Sequence, residues 1–120
     1  ELIIQGYNSY ESGIECGKKL LELKERPTAI FAANDEMAGG IIKVITEAGM
    51  SIPEDFSVAG FDDTPITQML NPPLSTIRQP LEKMGEIAAK KLIAQLEGIT
   101  VSNDHSLEST LVLRESINTI

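Results

Sequence analysis

Two six-residue runs constrain the fold of this chain more than anything else in it: TAIFAA (28–33) and FSVAGF (56–61). Both are β-prone and largely apolar, and neither shows regular apolar–polar alternation. That is the pattern of strands buried on both faces of a parallel sheet. Each ends abruptly in polar residues, Asn34-Asp35 after the first and Asp62-Asp63 after the second. The segment between them reads as a helix. Asn34 is a good N-cap, and Asp35 and Glu36 suit the positive end of the helix dipole. Met37/Ala38, Ile41/Ile42, Ile45 and Ala48 form an apolar stripe, and Gly49 falls where a C-terminal glycine is expected. Asn34 and Asp62 are 28 residues apart, about the length of one βαβ repeat.

The same alternation extends toward the N-terminus. Leu2-Ile3-Ile4 predicts a brief strand, and the spacing of Gly13/Ile14, Gly17, Leu20/Leu21 and Lys24 predicts a helix from about Ser9 to Lys24, closed before Pro27. Three β units joined by two helices imply an α/β fold, a parallel sheet with right-handed crossovers. Beyond Leu70 the pattern changes. Residues 74–79 (LSTIRQ) read as one more strand or as a crossing segment. Pro80 suits the first position of a helix whose face carries Leu81, Met84, Ala88, Leu92 and Leu96 down to Gly98. Residues 99–106 are polar and loop-like, and 107–114 (LESTLVLR) are a final strand candidate.

Composition narrows the function classes. Ten basic against eighteen acidic residues leave a net charge of −8, which repels phosphate backbones, so these residues are not expected to bind DNA themselves. The lone Cys16 permits no internal disulfide and fits a reducing cytosol, a small packing residue rather than a nucleophile. One His and one Cys, far apart, argue against a Cys–His site or a His-based metal site, and no cofactor is expected. His105 lies in a polar loop and is expected to be solvent-exposed. No Walker A or G-x-G-x-x-G sequence is present, since Gly39-Gly40 falls inside a helix. A phosphoacceptor domain would need acids after its first strand, where residues 5–8 read QGYN. No apolar run approaches membrane-spanning length. The chain opens at Glu1 without Met, which reads as a piece of a longer one.

In open α/β sheets ligands bind beyond the carboxyl ends of the parallel strands. Residues 5–8, Asn34-Asp35 and Asp62-Asp63 should emerge there. A carboxylate can accept from two neighbouring hydroxyls, and an amide can donate and accept, a set suited to a polyol or sugar-like ligand. Each residue also has a plainer reading: Asn34 as a helix cap, Asp62-Asp63 as turn and capping residues, Gln79 as a solvated strand end, and Met37, Met69 and Met84 as packing residues.

Four linked segments carry a family resemblance: PTAIFAANDEMAGG (27–40), SIPEDFSVAGFDD (51–63), NPPLSTIRQPLEKMGEIAAKKL (71–92) and TLVLRES (110–116). In this order and spacing the sequence resembles the LacI/GalR transcriptional regulators. The resemblance implies a Rossmann-like, three-layer lobe of a periplasmic-binding-protein-like type I fold. Residues 1–79 and 107–120 would form the C-terminal lobe, and 80–106 would belong with the N-terminal lobe. It implies effector contacts from Asn34, Asp62 and Gln79, with lesser ones from Tyr7, Asn8 and Leu81. Many relatives carry an aromatic ring where Asn8 stands. It also implies a dimer surface that includes Met37, Ile41, Pro65, Met69 and Leu70, although Met69 and Leu70 read equally well as core cover. The expected partners are a sugar or related polar metabolite, a second copy in a homodimer or domain-exchanged oligomer, and operator DNA reached only through a helix-turn-helix headpiece that these residues lack. A cytoplasmic repressor is the preferred reading. A periplasmic sugar-binding transport protein is the alternative, and a small α/β enzyme ranks third because no nucleophile, base or metal cluster converges on the strand ends.

Overall fold

The computed structural model describes residues 2–102 and 106–118, so His105 lies outside the described residues. The elements run α1 (Tyr10–Leu21), β1 (Ala29–Phe31), α2 (Asp35–Glu47), β2 (Ser57–Ala59), a single 3-10 turn (Pro65–Gln68), β3 (Thr76–Arg78), α3 (Leu81–Leu96) and β4 (Thr110–Val112). They form two compact units: Glu1–Arg78 with Leu111–Ile120, and Gln79–Thr110. No helix among the described residues is long and apolar enough to cross a membrane.

In the first unit β1 and β2 pair in parallel, with Ala29 opposite Ser57, Ile30 opposite Val58 and Phe31 opposite Ala59. Parallel bridges from Ala59 to Ser75 and from Asp62 to Arg78 carry the pairing on to the β3 segment, and β3 is hydrogen-bonded to β4. The parallel α/β pairing expected from the two apolar runs is formed, but β1 is not buried on both faces as expected: Ala29 and Phe31 are exposed, since no further strand covers that side of it among the described residues. Residues 74–79 contain a strand in this sheet edge rather than only a crossing segment.

Helix ends follow local chemistry. Ser9 and Ser12 form a reciprocal capping box at the start of α1. Asn34 caps α2 by accepting from the Met37 amide at 2.9 Å. Gly49, at φ +76°, ends α2 with paired bonds from Gly49 N–H to Thr46 O and from Met50 N–H to Ile45 O, a Schellman closure.

The core is built on α2, whose Met37, Ala38, Ile41, Ile42 and Ile45 pack with Phe56, Val58 and Leu74. Helices α1 and α2 approach closely because both are glycine-lined at the contact. A Cβ on Gly13 would sit 2.3 Å from the Met37 carbonyl oxygen, and one on Gly40 would sit 2.2 Å from the Tyr10 carbonyl oxygen. Cys16 is buried among these residues with its thiol facing the Gln5 carbonyl at 3.5 Å, the packing role expected for it.

Several expectations are corrected. Met37 and Ile41, expected on a dimer surface, are buried in the core, so no partner can reach them. Helical spacing locates a stripe but does not say whether the stripe faces the sheet or a second chain. Met69 and Met84, expected to pack, are exposed, and Ala48 lies on the solvent side of its helix. Leu2-Ile3-Ile4 forms no strand. Ile4 packs against the core, and hydrogen bonds hold the chain from Gln5, through the Cys16 thiol and through the Tyr7 amide bound to Ser12 Oγ at 3.0 Å. Leu2 and Ile3 remain exposed, and a cleft of about 730 Å³ separates residues 2–6 from β1. Pro80 flanks α3 as its N-cap, one position earlier than expected.

The second unit contains α3. None of its sixteen residues is buried, and Leu81, Met84, Leu92, Ile93 and Leu96 are exposed. Its polar side is tied by Glu86, which binds Lys83 at 2.9 Å and Lys90 at 2.5 Å. These two lysines hold the Glu86 carboxyl down to about 2.

Candidate functional site: the rim where β1 and β2 end

Parallel register sets the geometry of this rim. Asn34 lies three residues beyond Phe31, and Asp62 lies three beyond Ala59, the residue opposite Phe31. The bond from the Asp35 amide to the Phe61 carbonyl, 3.0 Å, keeps the two segments side by side past the last strand pair. Both residues chosen from the strand ends therefore leave the sheet at one edge.

Their local roles differ. The Asn34 side chain accepts from Met37 N–H and donates from Nδ2 to the Asn8 carbonyl at 3.1 Å. The helix-cap reading of Asn34 is thus realised. With two bonds in place, the amide retains one N–H and one lone pair for anything else. Asn8 itself sits in the left-handed region at φ 56°, which an Asn tolerates better than most side chains. Its carbonyl tethers the loop before α1 to the start of α2. Tyr7, next to it, is 77% exposed.

Asp62 has φ 109° and Asp63 has φ 54°. Two successive non-glycine residues at positive φ hold conformational strain, on the order of 1–3 kcal/mol each, and such strain persists only where surrounding contacts enforce it. The contacts are visible. Asp62 N–H donates to the Ile77 carbonyl at 2.9 Å. The Asp63 carboxylate binds Arg114 at 2.6 Å through one oxygen and Arg78 at 2.6 Å through the other, with its side chain only 6% exposed. Burial works to raise the Asp63 pKa, but the hydrogen bonds and charges of the two arginines outweigh it and hold the carboxyl below its ordinary value.

Asp35 is a residue that sequence reasoning missed. Its sequence position suggested a dipole contact in the first turn of α2 and a place at the strand-end rim, not a buried structural role. In the structure it is 1% exposed and accepts three bonds: Thr64 N–H at 2.7 Å, Thr64 Oγ1 at 3.0 Å and Thr76 Oγ1 at 2.6 Å. A Cβ on Gly60 would come within 2.5 Å of its Oδ1, so glycine makes room for the carboxylate. Gly60, Thr64 and Thr76 are the signal that pointed to it: small or hydroxyl-bearing residues around a strand end, with an acid one residue after a cap. Through Asp35 the start of α2 is joined to the loop that carries Asp62-Asp63 and to β3.

Gln79 and Leu81 belong to the second unit, Gln79 half-buried and Leu81 exposed. Of the surface residues expected at a dimer contact, Pro65 and Met69 are exposed, and Leu70 is half-buried against the core. Among the described residues no group of three or more His, Cys, Asp or Glu side chains is placed to hold a metal ion.

Comparison with known proteins fits this architecture. Residues 3–117 match the family model of the periplasmic binding protein-like domain. The chain is 46% identical over 106 residues to the lactose operon repressor of Rhizobium radiobacter, covering 88% of this chain and 94% of that sequence. It is 36% identical over 118 residues to the probable transcriptional repressor ExuR of Bacillus subtilis, covering 98% of this chain but 35% of the relative. Among solved structures, a lac repressor dimer bound to operator and the anti-inducer ONPF superposes with a TM-score of 0.87 at 34% identity, over 95% of this chain and 40% of the solved one. The chain thus spans between a third and two-fifths of the length of the last two. The chain belongs to the LacI/GalR family of transcriptional regulators and spans part of its effector-binding region.

Proposed function

We propose that these residues are the effector-sensing part of a transcriptional repressor that binds a sugar or a related polar metabolite. The observation that carries the reading is the register-matched exit of Asn34 and Asp62 at one edge of a parallel sheet, where ligands of such folds bind. Asp62 accepts from ligand hydroxyls and the remaining N–H of Asn34 donates, and Gln79 is the third proposed contact. Tyr7, Asn8 and Leu81 are the lesser contacts. The role is binding, not catalysis. Effector affinity that differs between two arrangements of the complete regulator shifts their populations. Operator contact falls to a DNA-binding segment outside these 120 residues, in keeping with their charge of −8. The setting proposed is the cytoplasm. Self-association uses the exposed Pro65 and Met69 with Leu70 at their margin.

Calorimetric titration of the complete regulator with lactose, ribose, cellobiose and sucrose tests this. A hydrogen bond to a charged group is worth roughly 1.5–3 kcal/mol, about 10- to 100-fold in affinity. Asp62→Ala is expected to weaken the bound compound by that factor while the thermal midpoint stays near that of the unaltered protein. Equal affinity in the variant, or no binding of any of the four, overturns the reading.

A further inference from the structure

The chain leaves the first unit after Arg78 and re-enters it at Leu111. Both passages lie close in sequence to an arginine, Arg78 at the end of β3 and Arg114 just past β4. Both arginines close on one carboxylate, Asp63, at 2.6 Å each. Arg114 is the more deeply set, with its side chain 14% exposed. It also donates to the Leu74 carbonyl at 2.7 Å, and its amide binds Ser75 Oγ at 2.8 Å. Asp63 directly follows Asp62, whose backbone bridges to Arg78.

We infer that Asp63 is a positioning residue: it holds the Asp62 backbone in its left-handed conformation and fastens that conformation to both strands at the point where the chain passes between its two units. Three observations support this. Asp tolerates positive φ better than most side chains, but two such residues in succession, with Asp62 at φ 109°, are uncommon and are held by surrounding contacts. The restraint present is a two-sided, charge-assisted clamp on a side chain shielded from water, and such bonds are stronger than neutral ones. The clamp reaches two strands rather than one, so a displacement at Asp62 is felt at both passages. The functional side of this inference rests on the sugar-binding reading of Asp62, whereas the clamp itself does not.

Amide hydrogen exchange on the complete regulator separates the two. The Asp62 amide, bound to Ile77 O, reports the clamp, and the Ala32 amide, bound to Ala59 O, reports the body of the sheet. Asp63→Asn is expected to accelerate exchange at Asp62 at least tenfold more than at Ala32. Should that variant fail to fold, Arg78→Gln removes only the exposed half of the clamp and is expected to give a smaller change of the same selectivity. Asp63→Glu, which keeps the charge, is expected to restore part of the protection. Equal acceleration at both amides, or full protection in Arg78→Gln, overturns the inference. In the binding arm, Asp63→Asn weakens at least tenfold whichever of lactose, ribose, cellobiose or sucrose binds the unaltered protein, and unchanged affinity overturns the link to Asp62. If none of the four binds, the sugar-sensing reading falls while the exchange result still decides the clamp.

Discussion

Helices α2 and α3 have comparable apolar stripes in sequence and opposite fates in the structure. α2 buries nine of its thirteen residues, and α3 buries none of its sixteen. Periodicity therefore establishes that a helix has a face to cover, and it is silent about what covers it. α2 finds its cover within the chain because β1 and β2 flank it in sequence and bring Phe56 and Val58 to it. α3 follows the last strand that joins β2 and shares no buried contact of this kind. Isolated amphipathic helices of this length are marginal in water, so its stripe calls for cover from outside itself.

The sharpest way to break this comparison is a matched pair of truncations. Ile45→Ala removes a side chain that is 1% exposed and is expected to cost about 2–5 kcal/mol in denaturant unfolding. Leu92→Ala, at 58% exposure, is expected to change the same measurement by less than about 0.5 kcal/mol in the 120-residue chain. Similar costs at both sites would mean that α3 is covered in solution. Next in size, Asp35→Ala strands one buried donor on Thr76 and two half-buried donors on Thr64, and is expected to cost about 3 kcal/mol. A loss under about 1 kcal/mol would show that the hub is dispensable. A smaller effect separates the units by pH. The Asp63 pKa is depressed on folding, so its contribution is fully present above the unfolded value near about 4 and is lost as pH falls through the lower folded value. Unfolding curves from pH 5 to 2 should show an acid limb that Asp63→Asn flattens. The smallest expected effect sharpens the comparison at α3. Sedimentation of the 120-residue chain should show concentration-dependent self-association that Leu92→Glu with Leu96→Glu weakens, beyond any contact at Pro65 and Met69, and a clean monomer at high concentration would contradict it.

The parts of the fold legible in the sequence were those where local chemistry and burial agree. The Asn34 cap and the Gly49 closure are each decided by a few neighbouring residues and form as expected; the two apolar runs pair as parallel strands, although β1 is exposed at Ala29 and Phe31 rather than buried on both faces. Leu2-Ile3-Ile4 had the composition of a strand, but pairing is a property of two segments, and its backbone bonds begin only at Gln5. Met37 and Ile41 illustrate the same limit, since one stripe fits a core or an interface equally well. At the candidate site, Asn34 and Asp62 were visible because topology fixes which residues follow a strand. The structural roles of Asp35 and Asp63 were not, because they depend on partners 15 to 51 residues away: Thr64 and Thr76 for one, Arg78 and Arg114 for the other. At each strand end the acid adjacent in sequence to the candidate contact is committed to structure.

The glycine-lined contact between α1 and α2 carries a mechanical consequence. Where backbones touch directly, no side chain is left to swing aside, and interiors packed this tightly resist compression. The two helices must then travel as a single rigid block. Asn8, just ahead of one, and Asn34, at the head of the other, are linked by a hydrogen bond and ride on that block together. Under the proposed function, an effector reaching these two residues would meet a fixed wall.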